Sequence, residues 1–366
     1  MAKLLTPKIL VRGFQIFVAA SLIGFGLTLW YGNNLGAFAE GLRNVHWIWL
    51  LAGLGLASMD WIGGGLRLWV VARQLMPQPS LKGMVLAGGM SAWAAYITPL
   101  QSGAFPMMMY TMRRYGIPLP VAATCALMGF VGTVGFFAIA GPLALLAGAG
   151  KALGTQGDVL GLSLYDLFLG SLTIFAGLGA LLVLVMIFPR LVRNLLDRLA
   201  AWLGRRSTRF AAKVDGVRTG LDEAHGHLVK LNSPKGWLSV FLCILLSGPS
   251  HANKLLAGYV TLRALGIHTN FVDVLLLQTF IAFLLYFAPT PGASGIAEVM
   301  SAAVMSVYVP KPLTPLYTLL WRLILSWYTV GFGFVIFARW VDKGLRTIGI
   351  APHSDDGTGK PQPAAP

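Results

Sequence analysis

Apolar residues fill long, nearly charge-free runs, and polar residues gather in the stretches between them. The runs over 14–31, 47–72, 121–149, 163–189, 237–262 and 314–338 are each about 18 residues or longer. A helix of that length crosses the ~30 Å apolar core of a bilayer, so the pattern predicts about six full membrane spans. Two further apolar stretches, about 83–115 and 271–309, are broken in the middle. The first break reads Tyr96-Ile-Thr-Pro99-Leu-Gln-Ser102-Gly103-Ala104-Phe-Pro106. The second reads Tyr286-Phe-Ala-Pro289-Thr-Pro291-Gly292-Ala293-Ser294-Gly295-Ile-Ala-Glu298. Tyrosine, proline and a run of small residues recur in the same order 190 positions apart, with Tyr96 matching Tyr286 and Pro99 matching Pro289. Proline and glycine free backbone groups that lipid cannot hydrogen-bond. Such breaks persist where protein or a watery cavity receives them, and a pair of them in two halves points to a transport site.

The placement of charge turns these runs into a topology. Lys3, Lys8 and Arg12 precede the first run, Arg73 and Lys82 follow the second, and Arg113 and Arg114 follow the first broken stretch. The polar insert 190–236 holds ten more Lys and Arg residues, and Arg339, Lys343 and Arg346 close the last run. The opposite loops hold Arg43, Lys151, Arg263 and Lys311. This is the positive-inside asymmetry, and it predicts that both termini are cytoplasmic. Parity then requires each broken stretch to enter and leave on one side. The leading arm of the first, Gly83 to Thr98, would be roughly 24 Å long at 1.5 Å per residue, short of a ~30 Å core. Both stretches are therefore predicted to be re-entrant helical hairpins, entering from opposite faces as in an inverted repeat. The predicted fold is an all-α polytopic membrane protein, with a transmembrane domain over 1–345.

Composition excludes several alternatives. Apolar residues make up 56% of the chain, charged residues 11%, and mean hydropathy is +0.71, which no water-soluble core requires. The net charge of +15 would suggest nucleic acid in a soluble protein. Its placement here suggests instead the anionic headgroups of the inner leaflet, with no nucleic-acid partner. Within 190–236, Leu191, Leu195 and Leu199, then Phe210, Val214, Val217 and Leu221, recur at helical spacing among Arg and Lys, a pattern that suits amphipathic helices on the inner membrane surface. The segment 346–366, rich in Pro, Gly and Ala, is predicted to be disordered. Cys125 and Cys243 lie in apolar runs and read as small core residues, and Phe14 to Trp30 reads as a retained first span rather than a cleaved leader.

Candidate chemistry sits in the breaks and in the charges within the spans. Each hairpin tip should start a new half-helix, at Pro106 after Ser102-Gly103 and after Gly295. Two helix starts facing each other near the midplane would favour an anionic headgroup; alternatively, the glycines and prolines only permit tight packing. Ser294 and Glu298, four apart, would share a face of the returning helix. An ionised group at the centre of a span costs about 2.5–3.5 kcal/mol on insertion scales and needs a reason. Arg322, deep in the last span, is assigned to a cavity, and Glu298 would pair with it, bind a cationic headgroup or carry a proton. His251, Asn253 and Lys254 in the 237–262 span read either as a structural hydrogen-bond network or as substrate contacts. Asp60 and Arg67 lie seven apart on one face, with Arg67 either in the cavity or snorkelling to the interface. Asp166 and Asp273 near outer span ends are expected to be solvated. The acid–histidine cluster Asp222-Glu223-Ala-His225-Gly-His227 has no recognised metal spacing, and no phosphate-binding loop or nucleophile elbow occurs. No metal or cofactor is expected, and no enzymatic activity. An enzyme or accessory factor for lipid-linked glycans, using Asp222 and Glu223, is the alternative, and a non-transporting scaffold is a third.

Thr98-Pro99-Leu-Gln-Ser102-Gly103-Ala104-Phe-Pro106 with Arg113-Arg114-Tyr-Gly116-Ile117-Pro118 resembles the first signature of the lysylphosphatidylglycerol synthase transmembrane family, the flippase-like domain proteins. Pro289-Thr-Pro291-Gly292-Ala293-Ser294-Gly295-Ile-Ala-Glu298 resembles the second signature, and Trp321-Arg322 the arginine of the last span. Ala104, Phe105 and Ala293 depart from those signatures. The resemblance runs from about residue 10 to 345. It implies a prokaryotic inner-membrane protein that moves a lipid with an anionic, aminoacylated or polyprenyl-phosphate headgroup between leaflets, without the soluble aminoacyltransferase of the bifunctional members. The residues expected to shape the site are Pro99, Ser102, Gly103, Pro289, Pro291, Gly292, Ser294 and Gly295, with charge from Arg67, Glu298 and Arg322. Membrane lipids are the expected partners, and homo-oligomers are compatible with this reading.

Overall fold

A computed structural model describes residues 7–146, 230–286 and 288–347, with short pieces at 169–170, 173–174, 176–180, 194 and 198. Among the described residues every regular element is helical. Five helical stretches are long and apolar enough to cross a membrane: Ile9–Gly32, Trp47–Leu75, Leu119–Leu143, Pro234–Ala264 and Lys311–Trp340. They coincide with five of the six expected spans. The sixth, 163–189, lies largely outside the described residues, as do most of the 190–236 insert and the tail from 348 onward.

In chain order the elements are α1 (Pro7–Gly32), α2 (Leu35–Arg43), α3 (Trp47–Ala57), α4 (Met59–Leu75), α5 (Leu81–Tyr96), α6 (Ala104–Arg114) and α7 (Leu119–Leu146). After the insert come α8 (Pro234–Ser250), α9 (Ala252–Ala264), α10 (Phe271–Tyr286), α11 (Ile296–Met305), α12 (Thr314–Arg322) and α13 (Tyr328–Thr347). Two spans expected to be continuous are in fact broken. The span 47–75 divides at Ser58, whose hydroxyl donates back to the Leu54 carbonyl and lies 3.1 Å from the Tyr328 hydroxyl. The span 234–264 divides at His251, two residues after Pro249, which has no N–H to continue the ladder. The last span carries a π-helical turn over Leu323–Trp327.

Both broken stretches fold as antiparallel hairpins. In the first, Ser91 Oγ donates to the Ala104 carbonyl across α5 and α6 at 3.1 Å. In the second, Gln278 on α10 reaches Met305 at the end of α11. The first hairpin and α8 have room to pack against α4 because it presents three consecutive glycines. A Cβ on Gly63 would stand 2.8 Å from the Ser250 amide nitrogen of α8, and one on Gly65 would overlap the Val85 backbone of α5. Small residues thus let three backbones approach, the usual way helices pack in lipid. The two hairpin ends touch: a Cβ on Gly292 would lie 2.7 Å from the Tyr96 carbonyl oxygen.

Candidate functional site

The two hairpin tips have one backbone design. Thr98-Pro99-Leu100-Gln101-Ser102-Gly103 and Thr290-Pro291-Gly292-Ala293-Ser294-Gly295 each make a single 3₁₀ turn, at Pro99–Gln101 and Pro291–Ala293. The middle pair is left-handed in both, with φ of 50° and 55° at Leu100 and Gln101 and of 56° and 54° at Gly292 and Ala293. The fourth residue's N–H returns to the proline carbonyl, Ser102 to Pro99 at 3.1 Å and Ser294 to Pro291 at 3.0 Å. Pro99 therefore corresponds to Pro291, not to Pro289. The preceding arms match 190 positions apart, as expected, but one residue separates Tyr96 from Thr98 and three separate Tyr286 from Thr290. The repeated Thr-Pro-x-x-Ser-Gly string was the signal for this register.

The tips differ in what caps the returning helix. In the first, Thr98 Oγ1 accepts from the Gly103 N–H at 2.8 Å and donates to the Ala94 carbonyl at 2.6 Å. In the second, Glu298 Oε2 accepts from the Gly295 N–H at 2.8 Å. The carboxylate so occupies the positive end of α11, where a ligand anion was expected. Arg322 Nε lies 2.9 Å from Glu298 Oε1. The same guanidinium donates to the Gly292 carbonyl at 3.2 Å and to Ser21 Oγ of α1 at 3.1 Å, and sits over the Phe17 ring at 5.5 Å. Glu298 and Arg322 are 1% and 2% exposed, so this ion pair fastens the second tip to α1 and α12 rather than facing open space. Ser294 does not share a helix face with Glu298. It precedes α11 with extended φ/ψ, and its hydroxyl turns back to the Pro291 carbonyl.

The open space lies beside the first tip. A cavity of about 440 Å³ is bounded by α4, α5, the first tip, α7 and the α8–α9 break, and Leu178 also reaches it. Its charged and aromatic lining includes Asp60, Arg67, Lys254, His251, Tyr96 and Tyr286, with Ser91, Gln101, Ser102 and Thr133 adding polar groups. A chamber of about 40 Å³ adjoins it towards the second tip, and Tyr96, Gln101, Lys254 and Tyr286 line both. Tyr96 and Tyr286, the last residues of α5 and α10, thus stand at the partition.

Asp60 organises that partition. Its Oδ2 accepts from Tyr96 Oη at 3.2 Å, Asn253 Nδ2 at 2.9 Å and Thr329 Oγ1 at 3.1 Å, while Oδ1 lies 3.3 Å from Lys254 Nζ. Asn253 also donates to the Leu325 carbonyl in the π-helical turn at 3.1 Å. One carboxylate, 3% exposed, therefore ties together α4, α5, α9 and α13. Arg67, two turns further along α4, points its Nη1 at Thr133 Oγ1 (2.6 Å), the Gly129 carbonyl (3.3 Å) and Ser247 Oγ (3.3 Å).

Of the residues expected from the sequence, Arg67 and Ser102 line the larger cavity and Gly292 the smaller. Pro99, Gly103, Pro289, Pro291, Ser294, Gly295, Glu298 and Arg322 line neither; they build the tips or lock them. Asp60 and Lys254 stand out in the sequence as charges within spans, and the fold makes them partners 194 positions apart. Among the described residues no group of three His, Cys, Asp or Glu side chains could hold a metal ion. The Asp222 to His227 cluster lies outside the described residues.

The chain is 24% identical over 294 residues to a UPF0104 membrane protein of Archaeoglobus fulgidus, an alignment covering 80% of this chain and 86% of that one. No solved structure matches it. Residues 14–333, which hold both hairpins, the broken spans and the cavity between them, match the family described as the lysylphosphatidylglycerol synthase TM region. A match over that much of the length settles the membership: the chain belongs to the lysylphosphatidylglycerol synthase TM-region family.

Proposed function

We propose that this protein is a lipid translocase of inverted-repeat design, moving a polar-headgroup lipid between the leaflets of a prokaryotic cytoplasmic membrane, and that it is not an enzyme. The observation that carries this reading is the polar cavity of about 440 Å³ within a bundle of apolar spans, next to the point where two broken hairpins touch. Lipid cannot satisfy such groups, and a lining of Asp60, Arg67 and Lys254 around open space suits a polar group that enters it. The volume falls in the range of ligand sites and accommodates a headgroup but not two acyl chains as well, which would stay in the bilayer.

Further support comes from the order of elements. A broken span, a hairpin and a long span (α3–α4, α5–α6, α7) are followed by the same series (α8–α9, α10–α11, α12–α13). Asp60 opens α4 and Asn253 and Lys254 open α9, so their contact falls where the two series meet. In this reading the hairpins are re-entrant from opposite faces, both termini are cytoplasmic, and the basic insert 190–236 rests on anionic inner-leaflet lipid.

The test is dithionite quenching of fluorescent lipids in liposomes containing the purified protein. Translocation of at least one anionic, aminoacylated or polyprenyl-phosphate lipid, at rates that Asp60→Asn and Arg67→Gln reduce at least tenfold, is the expected outcome. Asp222→Ala with Glu223→Ala should leave the rate unchanged. Absence of translocation for all three lipid classes would falsify the proposal.

A further inference from the structure

The charges around the larger cavity discriminate among headgroups. Among the described residues its lining holds two long cations, Arg67 and Lys254, and a single carboxylate, Asp60. Asp60 is largely committed: three hydrogen-bond donors crowd Oδ2, and Lys254 already neutralises the charge from beside Oδ1. An incoming ammonium group would have to share Oδ1 with Lys254, a like charge. The cations are in the opposite situation. Arg67 spends its guanidinium on neutral acceptors, its Nε is buried without a partner, and no described carboxylate lies within ion-pair distance of it. Lys254 has one charged partner and three N–H groups, and its side chain is 17% exposed at the partition between the two spaces. A cation in a site of low effective dielectric gains most from a fixed anion within reach. Arg67 and Asp60 are seven residues apart on α4, roughly 10 Å along its axis at 1.5 Å per residue. Lys254 rests against Asp60 and lines the same cavity as Arg67, so a phosphate group lying between the two cations would be drawn to both.

We infer that the cavity takes a phosphate-bearing anionic headgroup that lacks an ammonium, held between Arg67 and Lys254, with Asp60 serving as the resting counter-ion of Lys254. This deepens the translocase reading and depends on it for the occupant being a lipid. It narrows the headgroups named above by excluding aminoacylated ones. When the phosphate arrives, Lys254 turns from Asp60 towards it, while Tyr96, Asn253 and Thr329 continue to solvate the carboxylate. The hydroxyls of Ser91, Ser102 and Thr133 and the Gln101 amide are placed for a glycerol or sugar hydroxyl.

Binding is measured without transport, so that the two readings can fail separately. The full chain is purified in neutral detergent, and fluorescence anisotropy follows a short-chain labelled phosphatidylglycerol. Unlabelled phosphatidylglycerol, lysyl-phosphatidylglycerol, phosphatidylcholine and inorganic phosphate serve as competitors. Phosphatidylglycerol should compete at least tenfold better than the two ammonium-bearing lipids. Arg67→Gln and Lys254→Gln should each weaken it by about 10- to 100-fold, the range for losing one hydrogen bond to a charged group. Lys254→Arg should restore affinity. Asp60→Asn should tighten binding by freeing Lys254, whereas a merely structural Asp60 would make it weaker. Equal competition by lysyl-phosphatidylglycerol, or wild-type affinity in both glutamine variants, overturns the inference. Displacement by inorganic phosphate at lower concentration than by the lipid reassigns the site to free phosphate and overturns the lipid assignment. Should the Lys254 variants not fold, the competitor series on the unaltered protein decides the matter alone.

Discussion

A buried ion pair holds this molecule most firmly when both its members stay. Arg322 and Glu298 are almost wholly removed from solvent, and each also bonds backbone of the second tip, at the Gly292 carbonyl and the Gly295 amide. Removing one partner leaves the other charged and unsatisfied, which costs about 3–5 kcal/mol. Arg322→Ala should therefore lower thermal stability in detergent by that order, and pairing Arg322→Met with Glu298→Gln should recover a substantial part. If Arg322→Ala melts within a degree of the parent, the pair is not the lock described here. The left-handed pair in the first tip works in the other direction. Leu100 is held at a φ that disfavours side chains by about 1–2 kcal/mol. Its counterpart in the second tip is Gly292, so Leu100→Gly should stabilise the fold by about 1 kcal/mol in a thermal-shift measurement. Both charges of the ion pair were legible in the sequence, because an arginine and a glutamate in apolar surroundings require partners. That they spend themselves on each other and on the backbone of the second tip was not, since nothing local says which atoms a buried carboxylate will meet.

The elements depend on backbone approach as much as on apolar burial. Gly63, Gly64 and Gly65 on α4, with Gly88 on α5, occupy the place where α4, α5 and α8 converge. A Cβ on Gly88 would stand 2.5 Å from the Gly65 amide nitrogen, a distance that neither rigid backbone can relieve by a side-chain movement. Gly88→Ala should destabilise the protein by about 1–3 kcal/mol, as overpacking does, and spread α4 from α5. A melting curve in detergent checks the first effect, and altered cysteine accessibility at Ser91 checks the second. Unchanged stability would mean that the helices stand further apart than described. The run of glycines is plain in the chain, yet which helices it admits is a matter of tertiary contact. The breaks at Ser58 and His251 were likewise hidden, because hydropathy averages over a turn or two and does not sense a kink that leaves the apolar run intact. Pro249 was the available hint for the second; Ser58 carries no comparable mark.

For the molecule as a whole, the proposed inverted repeat can be tested by sidedness. Pro77, between α4 and α5, and His268, between α9 and α10, are both exposed and occupy corresponding loops. Both native cysteines are buried, which keeps the labelling background low. A membrane-impermeant maleimide applied to intact cells should label His268→Cys and spare Pro77→Cys, with the reverse pattern in inverted vesicles. Labelling of both from the same side would remove the inverted design. From the chain alone came the membrane class, the apolar runs, the two interruptions and the family resemblance, since each depends on composition and spacing along the backbone. Folding decided the rest: Lys254 meets Asp60 across 194 positions, Thr98 replaces a carboxylate as the cap of the first tip, and the larger polar space opens beside that tip. The physical reason is that hydropathy is a local property of a segment, whereas a cavity and its charge balance depend on distances between segments that only close packing sets.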